Sequence, residues 1–141
     1  MADLRNEIIA LGGTTAHQSP TSVEPVRPIA GLELLAAVVA EEQGRVIGWQ
    51  SVEMWQAEAH GGTFVQPGTQ ANGVGAAMFA MAREVVRCGG IRAIIASIRA
   101  DNVLGLAYYG RMGFVEFARD PEFALNDGRV VGWVHRRFDL A

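Results

Sequence analysis

Thr63-Phe64-Val65-Gln66-Pro67-Gly68-Thr69-Gln70-Ala71-Asn72-Gly73-Val74-Gly75-Ala76 is the stretch that decides the fold class. The β-branched and aromatic residues at 63–65 predict a strand, Pro67-Gly68 closes it, and a helix opens after Gly73. Backbone N–H groups at such a helix start, with the helix dipole behind them, form a ready anion site, phosphate above all. Gly73 and Gly75 let a phosphate approach the backbone with no Cβ in the way. Two phosphate-binding signatures are excluded. All 12 basic residues are Arg, so a Walker loop lacks its lysine. A dinucleotide fingerprint needs glycine three residues past Gly75, and Met78 stands there.

Downstream, Val74 to Arg87 predicts a helix with Val74, Met78, Met81, Ala82 and Val85 on one apolar stripe, stopped by Gly89-Gly90. Ile91 to Ile98 predicts a strand apolar on both faces, as in a covered sheet. Asp101 or Asn102 caps a second helix that runs to Met112, with Gly113 at its C-terminal end. Val115 to Leu125 and Val130 to Phe138 read as two strands joined at Asn126-Asp127-Gly128, a hairpin cue. Upstream, Leu34 to Glu41 and the strand Val46 to Val52 flank a turn at Gln43-Gly44-Arg45. The first 31 residues are the least regular, with a short helix at Leu4 to Leu11, Gly12-Gly13, and then Pro20, Pro25 and Pro28. The order β-β-β-α-β-α-β-β predicts a mixed α/β (α+β) domain, and 141 residues make one domain, 1–141.

Composition narrows the function. Half the residues are apolar and 19% are charged, enough for a real core. A net charge of −3 argues against nucleic-acid binding by bulk positive field. The single cysteine, Cys88, excludes an internal disulfide and a multi-Cys metal site, and scattered His17, His60 and His135 predict no metal site. Met1 to Leu11 lacks a secretory pattern, and the longest apolar run, Ile29 to Ala40, is broken by Glu33. It falls short of the roughly 18 to 20 residues of a membrane span. The expectation is a cytoplasmic protein with no membrane and no nucleic-acid partner.

Gln70, Gly73 and Gly75, a Gln-x-x-Gly-x-Gly pattern, resemble the acetyl-CoA pyrophosphate loop of the GCN5-related N-acetyltransferase (GNAT) family. Asn102-Val103-Leu104-Gly105-Leu106-Ala107-Tyr108-Tyr109-Gly110-Arg111-Met112-Gly113-Phe114 is similar to the same family's Asn-x-x-Ala-x-x-aromatic-Tyr-x-x-x-Gly-Phe segment, departing at Gly105, where alanine is usual. The resemblance covers residues 35 to 138. It implies a mostly antiparallel sheet, flanked by helices, whose central strands splay apart around the pantetheine arm of acetyl-CoA. The first strand and most of the first helix are missing from that plan.

The resemblance assigns the pantetheine to the backbone of Phe64 and Val65, and the pyrophosphate to Gln70, Ala71, Asn72, Gly73, Val74, Gly75 and Ala76. Asn102 lies near the pantetheine or thioester, Tyr108 is core or a pantetheine contact, and Tyr109 protonates the departing thiolate. It further implies direct attack by a neutral primary amine of a small molecule or amino acid, with no metal. A backbone N–H on the Val65 strand stabilises the oxyanion. The base that frees the amine is sought among Glu53, Glu58 and His60, with Glu58 and His60 favoured. Cys88 reads as a small buried hydrophobe, Trp49 and Trp55 as core, and Arg83, Arg87 and Arg111 as solvated helix faces. A homodimer could cover an exposed sheet edge. The alternatives are a non-catalytic CoA-binding module and an unrelated nucleotide binder.

Overall fold

In the computed structural model, residues 33–68 and 73–140 are described. Six strands and two helices alternate along the chain: β1 (Glu33–Glu42), β2 (Arg45–Trp55), β3 (Glu58–Val65), α1 (Val74–Cys88), β4 (Ala93–Arg99), α2 (Val103–Met112), β5 (Val115–Ala124) and β6 (Val130–Asp139). The helix and strand order is the expected one, and the sheet runs β1-β2-β3-β4-β6-β5. Every neighbouring pair is antiparallel except β3 and β4. The short helix expected at Leu4 to Leu11, and the strand and helix expected to be missing, lie outside the described residues.

Two-residue turns build the first three strands into a meander. Gln43 and Gly44 sit at φ 50° and 76° between β1 and β2, and Gln56 and Ala57 at φ 49° and 65° between β2 and β3. Paired positive φ values match the right-handed twist of a hairpin. The first turn has the glycine that announces it and the second does not. That is why β2 and β3 are longer than expected: β2 runs on to Trp55, and β3 starts at Glu58 rather than Thr63.

Strand alternation gives the sheet two different faces. Ala36, Val52, Ala59, Ile94, Ala96 and Ile98 point to the side where α1 and α2 lie, and join Phe79, Ala82, Val86, Tyr109 and Phe114 in one core. On the opposite face Trp49 stacks on Phe64, ring centroids 4.5 Å apart. Gly113, at φ 98°, ends α2 and turns the chain so that Phe114 packs between Phe79, Tyr109 and Phe138.

Three expectations need correction. The buried side of α1 is Gly75, Met78, Phe79, Ala82 and Val86, whereas Met81 and Val85 are exposed. Both stripes have helical spacing, and Phe79, the largest apolar side chain on the helix, faces the sheet. Cys88 is exposed, because it lies on the solvent side of α1 above Glu84, four residues back, rather than on the side of buried Val86. Trp49 is core, but Trp55 is half exposed, since β2 ends at the turn that carries it.

Candidate active site

The sheet opens between β3 and β4. His60 and Ile95 form the one ladder pair between these parallel strands. Beyond that rung, Gly61 to Val65 and Ala96 to Arg99 pair outward instead, β3 to β2 and β4 to β6. A slot therefore starts at His60 and widens toward the C-terminal ends of both strands, where α1 begins. Ligands of open α/β sheets bind at such carboxyl ends.

Tyr109 is carried by α2 to the helix-side wall of this slot. It is buried, and its hydroxyl donates to Thr63 Oγ1 of β3 at 3.2 Å. Burial pushes its phenol above the ordinary value of 10.0, partly offset by the Thr63 hydrogen bond. The phenol thus keeps its proton at neutral pH. Beside Thr63 on the same face stands Gln50, its register partner on β2, which is 1% exposed. Gln50 Oε1 is buried without a hydrogen-bond partner. An amide oxygen left so at a slot wall costs stability and is suited to accept from a ligand N–H. Neither Thr63 nor Gln50 stood out in the sequence. A lone glutamine within the apolar pattern of β2 was the available signal.

Tyr108 lies on the outer side of Tyr109, ring centroids 4.9 Å apart. Its hydroxyl donates to the Gly75 carbonyl at 2.9 Å, tying α2 to the first turn of α1. Burial, then Tyr109, raises its pKa well above the ordinary range. A Cβ at Gly75 would sit 2.8 Å from Tyr108 Cε2. Glycine there makes room for the tyrosine ring. Gly73 is the N-cap of α1 at φ 74°, with open space around its missing Cβ. No side chain caps α1 and no acidic residue occupies its first turn, which contains Val74, Gly75 and Ala76. Its leading amides, which have no intrahelical acceptor, remain suited to an anion. Gln70, Ala71 and Asn72 lie outside the described residues.

Asn102 is the N-cap of α2, and its Oδ1 accepts from Gly105 N at 2.9 Å. An alanine Cβ at 105 would come within 2.5 Å of Asn102 Nδ2, so the glycine permits this folded-back cap. Just before it, the buried Arg99 guanidinium holds Asp101 with two hydrogen bonds of 3.0 and 2.7 Å, which fixes the β4–α2 turn. The Arg99 hydrogen bond holds the Asp101 carboxyl below its ordinary pKa.

Phe64 and Val65 are at the end of β3, Phe64 on the face opposite Tyr109 with Trp49. Glu58 and His60 share that opposite face, their alternation partners Ala59 and Gly61 turning toward the helices. Glu58 is exposed, and its carboxylate lies 3.8 Å from His60 Nε2. That nitrogen is buried without a hydrogen-bond partner. Burial lowers the His60 pKa from 6.5, Glu58 partly restores it, and His135 lowers it further. His60 is therefore a neutral imidazole at the closed end of the slot. Glu53 is its cross-strand partner on β2. Among the described residues no group of three or more His, Cys, Asp or Glu could hold a metal ion. No helix among them is long and apolar enough to cross a membrane.

A sequence profile of the Acetyltransferase (GNAT) family matches residues 12–114. No curated protein matches the chain. Among solved structures, yncA of Salmonella typhimurium, an assigned acetyltransferase solved with its cofactor acetyl-CoA, superposes with a TM-score of 0.84 at 18% identity. The match covers 99% of this chain and 86% of that one. An assigned phosphinothricin N-acetyltransferase gives a TM-score of 0.81 at 23% identity over 100% and 91% of the two chains. An assigned streptothricin acetyltransferase of Bacillus anthracis str. Ames, in complex with acetyl coenzyme A, gives 0.65 at 20% over 74% and 61%. At these identities the structures speak for the fold, and the profile speaks for the family.

Proposed function

The chain belongs to the GNAT acetyltransferase family and so is an N-acetyltransferase with acetyl-CoA as co-substrate; from that premise we propose that it acetylates a primary amine of a small molecule or amino acid, with Tyr109 as general acid. The observation that carries this reading is the buried Tyr109 phenol, hydrogen-bonded to Thr63 on the wall of the β3–β4 slot. Acetyl-CoA lies with its pyrophosphate on the stretch from Gln70 to Ala76, whose last residues open α1, and its pantetheine along Phe64 and Val65.

His60, with Glu58 beside it, takes the proton of the incoming ammonium. The free amine attacks the acetyl carbonyl, and a β3 backbone N–H stabilises the oxyanion. As the C–S bond breaks, Tyr109 donates its proton toward the thiolate. Because burial raises the phenol, this donation is driven by the charge developing on sulfur rather than by a strong resting acid. Asn102, at the mouth of the slot, borders the pantetheine arm, and Tyr108 keeps the α1 amides in place. A homodimer covering an outer strand, and a cytoplasmic setting, belong to the same proposal.

The test is calorimetric titration with acetyl-CoA, followed by thiol release against a panel of primary amines. Gly73→Glu places a carboxylate where the pyrophosphate is expected and should abolish binding. Gly73→Ala, which carries the backbone strain without the charge, should retain it. Saturable binding with no turnover of any amine, and Tyr109→Phe indistinguishable from wild type, would leave only a CoA-binding module.

A further inference from the structure

On the face of the sheet opposite α1 and α2, three side chains from three strands form a hydrogen-bonded chain. Ser97 Oγ of β4 lies 2.8 Å from His135 Nδ1 of β6. His135 Nε2 lies 2.8 Å from Asp120 Oδ2 of β5. The sheet register sets this up, because Ser97 pairs with His135 and His135 faces β5 in turn. An ionised carboxylate only accepts, so Nε2 carries the ring hydrogen in the neutral imidazole and Nδ1 is left to accept the serine proton. The Phe117 ring lies 6.3 Å from the His135 ring, and the imidazole is only 19% exposed. Ser97 itself is exposed, with Ala96 and Ile98 on either side of it turned into the core.

We infer that Ser97, with His135 as its base and Asp120 as the group that orients the base, is a second acyl-accepting centre that takes an acetyl group from a thioester. An activated serine is recognised by these roles rather than by the choice of ring nitrogen. Its place supports the inference. Ser97 is two residues past the Ile95–His60 rung, on the β4 edge of the slot, on the face opposite Tyr109. A thioester held in the slot would have the phenol on one side and this hydroxyl on the other. In the step, Ser97 Oγ bonds to the acetyl carbon and its proton passes to His135 Nδ1. The C–S bond breaks with its electron pair on sulfur, and the thiolate takes a proton from Tyr109 or solvent. The product is an O-acetylserine on β4. Acetyl-CoA as donor rests on the proposed function; the activated hydroxyl does not.

Both parts are tested without knowledge of the acceptor amine. The full chain is incubated with acetyl-CoA, and separately with p-nitrophenyl acetate, and the peptide containing Ser97 is followed by mass spectrometry for one added acetyl group. Labelling by both donors is expected, absent in Ser97→Ala and slowed about 100-fold in His135→Ala. Asp120→Asn, at an exposed edge position where folding is not at stake, should slow it about tenfold. Labelling by p-nitrophenyl acetate alone, without acetyl-CoA binding by calorimetry, keeps the activated serine and removes acetyl-CoA from the slot, a failure of the transferase reading. No labelling by either donor, or labelling unchanged in His135→Ala and Asp120→Asn, overturns the inference.

Discussion

Replacing Gly75 by alanine is expected to destabilise the protein even though alanine is the better helix former. An added Cβ would lie 2.8, 3.3 and 3.5 Å from Cε2, Cζ and Cδ2 of Tyr108. Carbon pairs prefer about 3.5–4.0 Å, so the ring has to move by the better part of an ångström. Overpacking of this kind costs about 1–3 kcal/mol. The moved ring also weakens the Tyr108 hydroxyl bond to Gly75 O, worth about 1 kcal/mol. Against this, alanine gains at most about 1 kcal/mol of helix propensity, less in a first turn. The net expectation is a loss of about 1–3 kcal/mol, read as a fall in Tm of roughly 3–5 °C per kcal/mol. Urea melts supply the second measure. In a Tyr108→Ala background the ring is gone, and Gly75→Ala should then be neutral or stabilising. Equal effects of Gly75→Ala in both backgrounds, or a single variant as stable as wild type, would refute the packing argument.

Tyr109→Phe should retain acetyl-CoA binding by calorimetry while its turnover falls about 100-fold. Gln50→Leu removes the buried Oε1 that lacks a partner and should raise stability by about 1 kcal/mol in denaturant melts. The same variant should weaken acetyl-CoA binding if that oxygen faces the ligand. Asn102→Ala should cost about 1 kcal/mol in the native background and almost nothing in Gly105→Ala, where the clash has already expelled the cap, as a double-mutant cycle would show. Stability should also depend on pH at both ends. His60 binds protons less readily folded than unfolded, so stability falls as pH drops below 6.5, and His60→Gln should flatten this limb. Tyr108 and Tyr109 hold their protons more tightly folded than unfolded, so stability is lost as pH rises above about 10.

Local chemistry dictated a good part of this protein. The α1 loop with Gly73, the α2 cap at Asn102, the Gly113 stop and the Asn126-Asp127-Gly128 turn are short-range devices, and each is where its residues put it. Alternation and helical period then set the element order. Where the local signal was weak, the expectation slipped: the Gln56-Ala57 turn has no glycine, and two stripes of α1 had equal claims by spacing. Tertiary structure decided which stripe met the sheet: Phe79 and Val86 are buried in place of Met81 and Val85, and Phe79 packs against Phe114 and Phe138 from the far end of the chain. It alone showed that Gly75 makes room for Tyr108, and that Thr63 and Gln50 line the wall at Tyr109. Ser97 and Asp120 are unremarked in the chain, His135 is one of three scattered histidines, and the three are adjacent only through strand register. Sequence fixes what a residue can do with its near neighbours, whereas contacts across strands depend on the register of the whole sheet, which no single segment contains.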